Sequence, residues 1–234
     1  MNSRPHGGSG SPGGGPDFRA GDGAPRPFPV GAAVAFYAAL GLVAVLWRLW
    51  SDGVSPLAPA GVAPWESAGP VAALILGGVA GAGMVMGTRW WTRRLASGER
   101  LARAMAALLG PLSTRDVVAL ALASGLAEEA FFRGALQPRV GWLAASLLFG
   151  LAHLVPRREW LPWAGFAALA GLLFGALFEL SGSLVAPAVA HSLVNGVNLR
   201  WLARDAGAGR AHVAGAGSAL DDRDGVDLDG GPER

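Results

Sequence analysis

Six apolar runs of roughly 17–23 residues, near positions 30–50, 69–88, 114–136, 140–156, 160–180 and 184–202, dominate this chain. A helix rises about 1.5 Å per residue, so runs of that length match the roughly 30 Å hydrocarbon slab of a bilayer. In lipid every backbone polar group must be bonded inside the protein, which favours helices over open sheets. Across 234 residues, 52% are hydrophobic and only 15% charged, a balance far more apolar than soluble domains carry. The expected fold is all-α, a polytopic membrane helix bundle with about six transmembrane helices and disordered tails. A weaker apolar stretch at 101–112 carries Arg103 and is too short to cross, so it reads as an interfacial or connecting helix.

The ends of the runs carry a second signal. Trp47, Trp50, Trp90, Trp91, Trp142, Trp160, Trp163 and Trp201 all fall at or near them, as rings that favour the headgroup level do. In a six-span arrangement Arg19, Arg26, Arg89, Arg93, Arg94, Arg100, Arg103, Arg115, Arg157, Arg158, Arg200 and Arg204 lie on one side, and only Arg48, Arg133 and Arg139 on the other. The positive-inside rule then predicts a multi-pass protein of the cell membrane with both termini cytoplasmic. Residues 1–27, rich in Gly and Pro, and residues 205–234, rich in Gly, Asp and Arg, carry too little apolar surface to offset the entropy of ordering. Both read as disordered tails. Between them the pattern divides into residues 28–112, two transmembrane helices plus the connecting helix, and a four-helix unit at 113–204. The arginines are strung along run ends and form no single basic face, so the expected partner is the lipid bilayer and not nucleic acid. Cysteine is absent, which excludes disulfides, thiol nucleophiles and thiolate metal sites.

Charge inside an apolar run is expensive, about 2.5–3.5 kcal/mol per residue at the centre of a spanning helix, and marks a functional site. The third run contains Glu128, Glu129 and Arg133. Glu129 and Arg133 are four residues apart and share a helix face, acid before base. Glu128 is turned about 100° away and is free to point elsewhere. The fourth run ends with Phe149 and His153 on one face, and a turn near 138–141 joins it to the third. Counted from that turn, Glu128 and His153 reach similar depth in an antiparallel pair. The last run supplies His191 and Asn195, again four apart. Both are costly in hydrocarbon without partners, so they face inward. The remaining histidines, His6 and His212, fall in the two tails.

The ordered elements Glu-Glu-x-x-x-Arg (Glu128, Glu129, Arg133), Phe-x-x-x-His (Phe149, His153) and His-x-x-x-Asn (His191, Asn195) resemble the three motifs of the CAAX protease and bacteriocin-processing family. These are intramembrane endopeptidases, also called the Abi or Rce1-like family, and the resemblance covers about residues 114–202. It implies peptide-bond hydrolysis in a membrane protein or peptide substrate. Glu128 with His153 would activate a water as general base, and His191 and Asn195 would stabilise the oxyanion. Arg133 would orient Glu129, and Phe149 would pack the cavity. A zinc-dependent version places the ion on Glu128, His153 and His191. The chain lacks His-Glu-x-x-His, so the preferred reading uses no cofactor. A proton-coupled transporter or a non-catalytic, immunity-type partner-binding protein would also place such residues in the membrane. Substrate identity, prenylation and oligomeric state stay open. Gly77 with Gly81, and Gly171 with Gly175, predict close helix packing within the bundle.

Overall fold

The computed structural model describes residues 28–53 and 69–224. The expected tail at 1–27 and the last residues of the other, 225–234, lie outside the described residues. Helices α1 (Val30–Asp52), α2 (Pro70–Arg94) and α3 (Ala96–Leu109) precede α4 (Thr114–Glu129), which runs on through a π-helical turn (Ala130–Leu136) into the short α5 (Gln137–Val140). Then come α6 (Trp142–Ala152), α7 (Leu161–Ser181) and α8 (Val185–Asp224). The helical bundle expected from the apolar runs is what the chain forms.

The count of six crossings is not reached. Among the described residues three helices are long and apolar enough to cross a membrane, α1, α2 and the segment Arg158–Ser181, or four if the bent pair Ala96–Leu109 and Thr114–Val140 is one span. Two physical reasons account for the difference. The expected crossing at 140–156 folds as an 11-residue helix, about 16 Å long at 1.5 Å per residue. The helices bearing Glu128, Glu129 and Arg133, or His191 and Asn195, are less apolar because of those same side chains. The weak stretch near 101–112 is α3, a 14-residue connector that meets the following helix at 112°.

Local signals set the boundaries. Ser113 caps α4 reciprocally with Asp116: the Asp116 amide donates to Ser113 Oγ at 3.2 Å and the Ser113 amide to Asp116 Oδ2 at 3.1 Å, satisfying two donors that a helix start otherwise orphans. The turn between α5 and α6 sits at Gly141, whose φ of 81° suits glycine. The tail expected from 205 onward is instead helical as far as Asp224.

Small residues bring the helices together. A Cβ added at Gly81 would stand 3.0 Å from Ala190 Cα of α8, and one at Gly77 would strike the Ala186 carbonyl. Gly171 does the same for α7, where an added Cβ would lie 3.0 Å from the Ser146 carbonyl of α6. Both glycine pairs therefore pack inside the bundle. Around them the core gathers Phe132, Phe149, Phe174 and Leu177 with a set of alanines. Gly77→Val is expected to lower stability by about 1–3 kcal/mol through overpacking, while Gly78→Val, at a position open for 4 Å, stays within about 0.5 kcal/mol. Thermal unfolding in detergent measures both.

Candidate active site

Glu129 is fully buried and holds two partners at one oxygen. Arg133 Nη1 donates to Glu129 Oε1 at 3.1 Å, and His191 Nδ1 lies 2.7 Å from the same atom. Arg133 also donates through Nη2 to the Gly171 carbonyl at 2.9 Å, which ties α7 into the network. Its guanidinium lies 4.7 Å from the centre of the Phe149 ring and 5.6 Å from that of Phe174, a favourable setting for a desolvated cation. The π-helical turn that carries Arg133 still lets the side chain reach back to Glu129. Turns of this kind recur at functional sites.

The neighbouring carboxylate is left for other work. Glu128 points into a cavity of ≈ 60 Å³ lined also by His153, His191, Asn195 and Phe149, room for more than one water. All four residues expected to carry chemistry thus meet at one cavity, from α4, α8 and the end of α6. His153 is the cap of α6, and its Nδ1 lies 2.8 Å from the Phe149 carbonyl. A carbonyl only accepts, so Nδ1 carries the proton and a neutral ring presents Nε2 as an acceptor. That Nε2 stands 3.7 Å from Glu128 Oε2, beyond direct hydrogen-bond length. Glu128 Oε2 itself is buried without a hydrogen-bond partner.

His191 and Asn195 are held from behind. By the same reasoning His191 gives its Nδ1 proton to Glu129, and Phe174 stacks on its ring at 4.8 Å. Asn195 donates from Nδ2 to Ser124 Oγ at 2.9 Å, and Ser124 passes its own proton to the Ala121 carbonyl at 3.4 Å. An amide nitrogen has two protons, so Asn195 keeps one for another acceptor. Phe149 packs the cavity as expected, with ring centres 4.6 Å from His153 and 4.9 Å from Phe132.

Several contributors escape the sequence pattern. Ser124 stands four residues before Glu128 on α4, and a small polar residue at that spacing in an apolar run is a usable signal. Phe174, Trp163 and Tyr37 also line the cavity but belong to none of the three motifs. For a metal, the required donors are Glu128, His153 and His191. Among the described residues no group of three His, Asp or Glu side chains is placed to hold one ion, and Glu129 is committed to Arg133 and His191.

Residues 111–197 match the family described as Type II CAAX prenyl endopeptidase Rce1-like. This part of the chain is similar to that family. The Rce1-like segment contains Glu128, Glu129, Arg133, Phe149, His153, His191 and Asn195, and leaves out α1, α2 and α3. A curated protein of Bacillus subtilis (strain 168), described as uncharacterized protein YpbD, is 36% identical over 85 residues, 36% of this chain and 44% of that protein. The chain thus spans less than half the length of the curated relative it matches. No solved structure matches.

Removing one partner of a buried ion pair strands the other charge, at a cost of about 3–5 kcal/mol. Arg133→Met is therefore expected to destabilise the Rce1-like segment by that amount, whereas Arg103→Met, from an exposed pair with Glu99, changes stability by less than about 1 kcal/mol. Denaturant unfolding in detergent distinguishes the two.

Proposed function

We propose that the chain is an intramembrane endopeptidase that hydrolyses peptide bonds of membrane-associated proteins or peptides with a water activated by Glu128 and His153. The single observation that carries this reading is the approach of Glu128 Oε2 and His153 Nε2 to 3.7 Å inside a cavity shared with His191 and Asn195. Two acceptors at that separation hold one water between them, each taking one of its protons. Glu128 draws the proton from the water as its oxygen adds to the substrate carbonyl, and returns it to the leaving amine. The oxyanion then lies toward α8. Asn195 offers its second N–H, and His191 donates from Nε2 when its ring is doubly protonated. The Rce1-like match supports proteolysis in a membrane protein, and the donor geometry supports a route that needs no cofactor.

Orientation belongs to the same reading. The three arginines on the sparsely charged side are each engaged within the protein: Arg48 and Arg139 with Asp52, and Arg133 with Glu129. On the six-span assignment of sides none is a free juxtamembrane cation, which accords with cytoplasmic termini by the positive-inside rule; three crossings would place the termini on opposite sides.

The test compares wild type with Glu128→Gln, both purified in detergent, on a fluorogenic membrane-peptide library with and without chelator. The expected result is cleavage that resists the chelator and falls about 100- to 10,000-fold in the variant. Chelator-sensitive cleavage restored by zinc would overturn the metal-free route. Absence of cleavage together with a Glu128-dependent proton flux in liposomes would favour a carrier.

A further inference from the structure

α1 lies outside the Rce1-like segment, yet it reaches the cavity with Tyr37, the chain's single tyrosine. One stripe of α1 faces the protein: Ala44 and Arg48 are buried, and Tyr37 and Gly41 are half-buried. Steps of four, three and four residues keep these positions on one helix face. Neighbours off the stripe, such as Phe36, Leu42, Val43 and Leu46, are exposed.

That stripe runs parallel to α4 and its continuation, and its register is fixed at several levels. A Cβ at Gly41 would meet the Ala127 Cβ at 3.6 Å, the Trp47 ring centre lies 5.8 Å from that of Phe131, and Asp52 takes Arg139 at 2.7 Å. At the cavity end this register brings Tyr37 to the cavity that Glu128 lines. A phenol hydroxyl in an apolar setting needs an acceptor. Glu128 has one to offer, because Oε2 is buried without a partner.

We propose that Tyr37 is a positioning residue: its hydroxyl donates to Glu128 and fixes the direction in which the carboxylate presents its free lone pair to the water shared with His153. Such hydrogen bonds tighten when substrate completes the site. The inference rests on the proteolytic reading above and extends it, since it makes the first helix part of the catalytic apparatus.

The experiment measures peptide cleavage by the purified full chain with Tyr37→Phe, which keeps the ring and removes the hydroxyl. A hydrogen bond to a charged group of this kind predicts a kcat lower by about 10- to 100-fold, with KM within about twofold and an unchanged melting temperature. Leu42→Ala, at an exposed position on the same helix, keeps the wild-type kcat. Wild-type kcat in Tyr37→Phe overturns the proposal and leaves the protease reading standing. A loss that appears only in KM, or only with a lowered melting temperature, also overturns it. If the wild type cleaves nothing, the protease reading fails first and takes this inference with it.

Discussion

The ion-paired carboxylate of Glu129 is the constraint on which the rest of the structure depends. A fully buried charge in an apolar bundle is tolerable only when it is paired and hydrogen-bonded, and Glu129 meets that condition by binding Arg133 and His191 at once. Arg133 in turn takes the Gly171 carbonyl. One side chain thereby fixes the π-helical turn, α7 and α8 relative to α4. The electrostatic requirement and the geometry of the cavity are the same fact seen from two sides, since His191 could not face the cavity in its present tautomer without Glu129 behind it.

This arrangement also divides labour between adjacent residues of identical chemistry. Successive residues on a helix point about 100° apart, so Glu128 and Glu129 enter different surroundings. Glu129 takes both Arg133 and His191 at its Oε1. Glu128 keeps a buried oxygen without a partner, facing an imidazole nitrogen that is 3.7 Å away. Polar groups left in that state are expensive, and a protein retains the expense where a reactant will satisfy them. The small-residue contacts of α2 with α8 and of α6 with α7 hold the two sides of the cavity close enough for this to matter.

Much of the candidate site was legible in the sequence because membranes make polar residues conspicuous. Glu128, His153, His191 and Asn195 stand out in apolar runs, and depth counted from the turn near 138–141 places Glu128 level with His153. Other features were hidden for physical reasons. Ser124 is too small and too tolerable in a helix to signal its hold on Asn195. Tyr37 joins the cavity only through the packing register of a helix that carries none of the three motifs. Run length also overstated the crossings, because an apolar run records composition and not direction: residues 140–156 include the turn at Gly141 and the end of α6 at His153.

The most direct measurement of the central claim is single-turnover cleavage of a membrane-anchored peptide in ¹⁸O-labelled water, with mass analysis of product and enzyme. If Glu128 and His153 act on water, the first turnover places one ¹⁸O in the new product carboxylate and leaves Glu128 unlabelled and unmodified. An acyl adduct on Glu128, or a first-turnover product whose new oxygen comes from the enzyme, would contradict the account.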